Sequence, residues 1–302
     1  MNILILGSEG FIGRQLVTYF SKKDYQVYGA DLLEVGTQPY KYFKITRLSP
    51  EFDELLQNTG FDVCINAAGS GNVSYSMTHP VSDFEANSLD TIRLLDGFRR
   101  HRPSCKYLHI SSAAVYGNPQ QLPIKEADSL QPVSPYGWHK LIAEQLCKEF
   151  TSVYGLSTAI VRPFSIFGPG LKKQLFWELA QKVINSPEGS TIELWGTGRE
   201  SRDFLFIDDL VYAIDCILDK GSFRSEVYNI ASGIETSIHD VTDVFVKSFG
   251  KPVTIRFNQQ VRSGDPQNWR ADIGLLQSLG FQQNVSIETG INKYVEWLKE
   301  GK

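Results

Sequence analysis

The chain opens with an apolar run, Asn2-Ile3-Leu4-Ile5-Leu6, that stops at Gly7, with Gly10 and Gly13 following at three-residue spacing. No opening constrains the fold more. A run without polar alternation reads as a strand buried on both faces, so helices must cover both sides of its sheet. Phe11 to Phe20 then reads as a helix. Glycines between such a strand and helix permit a tight turn and let a diphosphate approach without a Cβ in the way. A glycine triplet alone is a weak signal, since any tight strand–helix turn uses one. Its place at the first strand of the chain is what points to a dinucleotide cradle.

The rest of the first half repeats the alternation. Gln26 to Ala30, ending at Asp31, is a strand; Glu51 to Asn58 a helix; Asp62 to Asn66 a strand. Phe84 to Arg100 is expected as one long helix, followed by a strand Tyr107–Ile110, a helix Tyr136–Tyr154 and a strand Thr158–Arg162. Strands alternating with helices predict an α/β fold, a Rossmann-type doubly wound parallel sheet with right-handed crossovers. After Pro163 the pattern shortens and mixes. Residues 1–164 with about 202–232 are expected to form the sheet domain. About 165–201 with 233–302 are expected to form a smaller C-terminal α/β lobe for the substrate.

Asp31 closes the second strand, 18 residues after Gly13. An acid at that distance accepts from ribose hydroxyls and repels a 2′-phosphate. Leu32 and Leu33 follow it, with no adjacent cation, so the expected cofactor is NAD rather than NADP.

Among the 302 residues, 42% are hydrophobic, enough for an extensive core, and the net charge is −4 with no basic block, which argues against a nucleic-acid partner. Cys64, Cys105, Cys147 and Cys216 lie far apart with no Cys/His cluster, so no metal site is expected. Reduced, buried thiols and the absence of a signal-like segment or long apolar span give the expectation of a cytoplasmic protein with no membrane partner.

Tyr136 and Lys140 in SPYGWHK stand four residues apart, on one face of the expected helix. An ammonium there is expected to lower the phenol's pKa toward the working range, fitting Tyr136 for acid–base work. Ser112 follows the strand Tyr107–Ile110, where strand ends face the crevice of a doubly wound sheet, and its hydroxyl can share the same substrate oxygen. The plainer reading is a surface Tyr–Lys pair on an amphipathic helix; the coincidence of cradle, hydroxyl and pair in one order favours catalysis. His139 and His109 are assigned no catalytic part.

These residues sit in a longer series: GSEGFIG (7–13), INAAGSGNVSYS (65–76), SSAAVYG (111–117), SPYGWHK (134–140), RPFSIFGPG (162–170), GTGRESRDFLFIDDL (196–210), YNIASG (228–233) and RSGDP (262–266). In that order they resemble the extended short-chain dehydrogenase/reductases, and within them the nucleotide-sugar epimerase/dehydratase group typified by UDP-glucose 4-epimerase. The resemblance implies Tyr136, Lys140 and Ser112 as catalytic residues. It implies Gly7, Gly10, Phe11, Ile12, Gly13, Asp31, Asn66, Ala67, Ala68 and Asn87 on the cofactor side, with Tyr136 and Lys140 touching the cofactor as well. It implies Ser112, Ser165, Arg202 and Arg262 on the substrate side, the arginines holding the diphosphate of a nucleotide-diphosphate sugar. A structural ion pair, with Asp203 or Asp265, is the rival reading of those arginines.

The chain also departs from the family. Relatives that perform 4,6-dehydration carry Asp-Glu after the catalytic hydroxyl, where this chain has Ala113 and Ala114, which disfavours elimination of water. Ser165 stands where relatives often have Asn, Phe167 where Tyr is common, and the adenine-contacting acid is lost near Lys44-Ile45. The resemblance then implies an NAD-dependent 4-epimerase. A 4-ketoreductase of a 4-keto-6-deoxy sugar nucleotide, using NAD(P)H, stays open, as does, more remotely, a non-catalytic nucleotide-binding module. It also implies a homodimer, pairing the helices Phe84–Arg100 and Tyr136–Tyr154 into a four-helix bundle, with Leu94, Ile142 and Leu146 as apolar residues beyond one helix face.

Overall fold

The computed structural model describes every residue except 35, 38, 39, 47, 48, 261–266 and 302, and not the side chains of 49–51. In chain order the elements are β1 (Asn2–Leu6), α1 (Phe11–Phe20), β2 (Gln26–Asp31), β3 (Lys41–Lys44), α2 (Ser49–Asn58), β4 (Val63–Asn66), α3 (Val73–Thr78), α4 (Pro80–Phe84), a π-helical turn (Glu85–Leu89), α5 (Asp90–His101), β5 (Lys106–Ile110), α6 (Pro135–Tyr154) and β6 (Thr158–Pro163). They continue with β7 (Ser165–Phe167), α7 (Gln174–Asn185), β8 (Thr191–Leu194), β9 (Ser201–Arg202), β10 (Phe204–Phe206), α8 (Ile207–Lys220), β11 (Arg224–Ile230), β12 (Thr236–Ser237), α9 (Ile238–Phe249), β13 (Thr254–Phe257), α10 (Gly274–Ser278) and α11 (Ile287–Lys299).

One compact unit comprises Met1–Gly117, Glu126–Pro163 and Ile214–Asn229. Its seven-stranded sheet has the order β11-β6-β5-β4-β1-β2-β3, with β6 through β3 paired in parallel. This is the Rossmann-type doubly wound order, and it reverses direction between β1 and β4, where a crevice opens beyond the strand ends. The strands are buried on both faces because helices cover both: Ile3 through Leu6 are buried, as are all six residues of β6, the polar Thr158 and Arg162 among them. α6 packs on α3, α4 and α5. It starts sharply because Ser134 accepts from the Gly137 amide and Pro135 fills the first helical position; it ends at Gly155 in the left-handed conformation.

The expected single helix Phe84–Arg100 is a longer run that begins at Pro80 and contains the π-helical turn Glu85–Leu89. Asn87 sits in that turn, and wide turns of this kind recur at functional sites.

The second unit comprises Asn118–Lys125, Phe164–Ala213 and Ile230–Lys302, and is the smaller, with two-stranded pairings β10–β7, β12–β9 and β13–β8. Residues 202–213 belong to it, although the chain's motifs suggested the sheet domain. The reason is pairing: Phe204, Leu205 and Phe206 register against Ser165, Ile166 and Phe167. Phe167, in place of a common Tyr, is buried among Phe176, Phe204 and Phe206 at 4.8–6.3 Å. Asp203, fully buried, accepts from the Ser232, Gly233 and Ala271 amides and ties three stretches of this unit together. Among the described residues, no helix is long and apolar enough to cross a membrane.

Candidate active site

The glycine turn is built by its own packing. Gly7 has a left-handed φ of 73°, and a Cβ there would lie 2.7 Å from the Ala68 nitrogen and 2.8 Å from the Ala67 carbonyl. A Cβ on Gly13 would lie 2.0 Å from the Gly7 oxygen. Gly10 is different. Its φ is −75°, and a Cβ would meet only the Gly7 oxygen at 3.2 Å. No side chain caps α1, so its first amides stay available to an anion.

A cleft of about 440 Å³ opens beside this turn. Gly7, Gly10, Asp31, Ala67 and Ala68 line it. Asp31 is held by the Leu32 amide at 2.7 Å and the Glu9 amide at 2.9 Å. Ile45 and Thr46 after β3 line it too, with Phe52 and Leu94, where the resemblance led to an acid. Asn66 donates to the Tyr107 hydroxyl at 2.7 Å and accepts from the Ala68 amide at 3.1 Å, shaping the loop after β4. Phe11, Ile12 and Gly13 lie in the first turn of α1 behind this lining. Asn87 donates to the Asp83 carbonyl, while its buried Oδ1 has no hydrogen-bond partner among the described residues. Free helix amides, a turn with glycine at positions 7 and 10 and a carboxylate at the end of β2 fit an NAD diphosphate and its ribose.

Tyr136 occupies the first turn of α6, its amide donating to Ser76 Oγ at 3.1 Å. Its buried phenol lies near enough to the Ser112 hydroxyl for that group to lower its pKa. Ser112 Oγ accepts from the Ala114 amide at 3.2 Å, which leaves its proton for the phenol. Lys140 is buried one turn on, and its Nζ donates to the Ile110 carbonyl at 3.0 Å. The expected lowering of the phenol's pKa by Lys140 is not what this arrangement gives. Burial pushes Tyr136 up, the Ser112 hydroxyl pulls it down, and the Asp83 carboxylate pushes it up, leaving it above the ordinary value. Helical spacing put the two side chains on one face; it could not show the ammonium directed to a strand-end carbonyl.

His139 is not idle, as its Nδ1 lies 2.6 Å from Oδ2 of Asp83, a carboxylate with no exposure. His109 is wholly buried and stacked on Tyr107, and burial with the nearby Lys140 depresses its pKa. Beneath Ser112 lies a group that sequence reading passed over. Ser111 donates to Glu144 Oε1 at 2.6 Å, and Arg162 grips Glu144 through Nε at 2.9 Å and Nη2 at 2.6 Å. Glu144's place, one turn past Lys140, was the available signal.

In the second unit, Ser165 gives its amide to the Asp203 carbonyl at 3.0 Å. Arg202 Nη1 donates to the Ser201 and Gln267 carbonyls at 2.8 and 3.2 Å, with its guanidinium 5.8 Å from the centre of the Trp269 ring. Arg262 lies outside the described residues.

Fold and cleft define a dinucleotide-binding α/β protein with a Ser–Tyr–Lys group after β5 and on α6, its tyrosine and lysine buried. Residues 3–231 match the NAD dependent epimerase/dehydratase family, and the chain belongs to that family. It is an NAD-dependent enzyme. A putative UDP-glucose 4-epimerase of Methanocaldococcus jannaschii is 28% identical, with 98% of each chain covered. The UDP-glucose 4-epimerase of Mycolicibacterium smegmatis is 27% identical, with 99% of each covered. The UDP-glucuronic acid 4-epimerase of Bacillus cereus, solved with UDP-glucuronic acid and NAD, superposes with a TM-score of 0.90 at 27% identity over the full length of both chains.

Proposed function

We propose that this chain is an NAD-dependent 4-epimerase of a nucleotide-diphosphate sugar, a UDP-hexose or UDP-hexuronate, with Tyr136 as its acid–base residue. The observation that carries the reading is the buried Tyr136 phenol near the Ser112 hydroxyl, with Lys140 one turn on along α6, in a fold with a cleft fitted for NAD. When bound, NAD supplies the two-electron acceptor and donor for the sugar carbon. Tyr136 takes the 4-hydroxyl proton on oxidation and returns it on reduction of the other face. Ser112 steadies the same oxygen, and Lys140 holds the strand end and helix together. The walls beside Ser112 are Ala113 and Ala114, which have no acid–base group to remove a C5 proton. Arg202, Arg262 and Ser165 are the proposed substrate contacts.

Incubation with UDP-glucose and with UDP-glucuronate in the presence of NAD is expected to give the C4 epimer, read by NMR, with no net change in NADH absorbance. Stoichiometric NAD(P)H oxidation by a 4-keto sugar nucleotide, without epimer formation, would replace this reading with a ketoreductase.

We also propose that the enzyme works as a homodimer in the cytoplasm. Exposed Met77, Val81, Phe84, Trp138 and Ile142 on α3, α4 and α6 support an apolar contact face. Leu94 and Leu146 contribute less than the helical pattern implied, since both pack partly against the sheet's core cluster. Light scattering is expected to give twice the chain mass, and Trp138→Asp to halve it; a wild-type monomer ends the proposal.

A further inference from the structure

Three consecutive residues at the end of β5 meet three successive turns of α6. Ser112 lies near Tyr136, while the Ile110 carbonyl accepts from Lys140 and the Ser111 hydroxyl donates to Glu144. Tyr136, Lys140 and Glu144 are spaced at i, i+4 and i+8, so they form one row along the helix. The two lists run in different orders. Ser111, the middle strand residue, takes the most distant helix position, so its bond fixes the strand end along the axis of α6.

The anchor of this row is buried. Glu144 has no exposure and Arg162 has 1%. The fork from Arg162 occupies both carboxylate oxygens, and its Nη1 reaches the Tyr116 hydroxyl at 2.8 Å and the Glu126 carbonyl at 3.0 Å. Tyr116 in turn donates to Asn229 at 2.7 Å, and the Asn229 amide to Glu126 at 2.9 Å. A buried pair of this kind contributes little net stability against an apolar substitute, so its presence calls for another role. Both Ser111 and Glu144 lie off the cleft and touch no candidate reacting atom.

We infer that Ser111 and Glu144, held by Arg162, are positioning residues that set the reach between the Ser112 hydroxyl and the Tyr136 phenol. This rests on the catalytic reading of Tyr136 and Ser112. Because the Ser112 hydroxyl pulls the phenol's pKa down, a loosened strand end leaves Tyr136 titrating at higher pH. The other charged groups nearby, Asp83 on α4 and Lys140 on α6, are unchanged by substitution at Ser111.

The test uses Ser111→Ala, Glu144→Gln and Tyr136→Phe in the NAD-saturated enzyme. Two quantities are read: turnover of UDP-glucose, and the tyrosinate absorbance of Tyr136, taken as each protein minus its Tyr136→Phe counterpart. Ser111→Ala is expected to lower kcat by about tenfold to a hundredfold with KM little changed, as misplacements of about 1 Å do. It is also expected to move the Tyr136 titration upward. Glu144→Gln should do the same if it folds, and Ser111→Ala keeps the proposal testable if it does not. Unmoved kcat and unmoved tyrosinate in Ser111→Ala overturn the inference, even if its melting temperature falls. A Tyr136→Phe protein that still turns over overturns the catalytic reading instead, and the tyrosinate titration then judges the positioning role alone.

Discussion

The three glycines of the first turn make a graded prediction. At Gly13 an alanine Cβ would stand 2.0 Å from the Gly7 carbonyl oxygen and 2.8 Å from the Ser8 Cα, all backbone atoms that cannot swing aside. Overpacking of rigid neighbours costs about 1–3 kcal/mol, and this contact lies at the top of that range. At Gly7 the left-handed backbone costs a non-glycine residue about 1–2 kcal/mol before any contact is counted. The contacts at 2.7–2.8 Å with Ala67 and Ala68 add to it. At Gly10 the extended backbone carries no such cost, and the one contact, 3.2 Å to the Gly7 oxygen, is tight but milder than those at Gly7 and Gly13. Gly10→Ala should therefore cost less than Gly7→Ala or Gly13→Ala, about 1 kcal/mol or less. Its Cβ would nonetheless project where the cofactor's diphosphate must come close. Thermal unfolding with and without NAD separates the effects. At 100 times its Kd, NAD adds about 2.7 kcal/mol to the native state. Each tenfold loss of affinity removes about 1.4 kcal/mol of that, and Gly10→Ala should lose at least this much. Gly13→Ala and Gly7→Ala should unfold at lower temperature even without NAD. A Gly13→Ala protein as stable as wild type, or a Gly10→Ala protein with the full NAD response, would refute the reasoning.

Asp31→Ala removes the acceptor at the end of β2 and should weaken NAD by about tenfold while weakening NADP less; equal loss for both, by calorimetric titration, would deny Asp31 a part in choosing the cofactor. Tyr136→Phe should bind NAD as before and lose about 10²–10⁴ in turnover, the usual share of a positioned acid–base group, as measured by initial rates. Burial holds the phenols of Tyr107, Tyr116 and Tyr294 above the ordinary 10.0, so the native state binds their protons more tightly than the unfolded chain. That stability is fully present below pH 10 and is lost as pH rises beyond it. Tyrosinate absorbance from these residues should therefore appear together with alkaline unfolding, followed by circular dichroism, and its appearance near pH 10 in a folded protein would contradict the assigned burial.

The parts of the fold that were legible are those that strand chemistry forces. β1, β4 and β6 read directly as apolar runs because both of their faces are covered, and Ser134-Pro135 marks the start of α6 through capping chemistry. The π-helical turn at Asn87 left no such mark, since widening one turn changes which carbonyl an amide reaches without changing the apolar period. In the site, residue identity located Tyr136, Ser112 and the glycine turn. What identity could not give was direction. Lys140 is on the expected face but points to the Ile110 carbonyl. Asp83 enters from α4, 53 residues before Tyr136, and raises the phenol's pKa through space. Glu144 and Arg162 read as ordinary helix and strand charges until their burial is seen. The boundary at 202–213 was misplaced because Phe204–Phe206 is as apolar as a central strand, and only its register against Ser165–Phe167 shows which unit owns it.

The order of the sheet has a consequence for how the protein is made. β11 is the edge strand beside β6, yet the chain passes through the whole of β7 to α8 before reaching it. On the ribosome, where chains emerge N-terminus first, β6 therefore presents an unpaired margin, apolar at Ala159, Ile160 and Val161, until Arg224–Ile230 has emerged. An open apolar margin is a template for pairing with another nascent chain. Any product truncated between residues 164 and 223 would keep the NAD cleft and carry that margin permanently. Such fragments should accumulate as aggregates or chaperone clients rather than as free cofactor-binding domains.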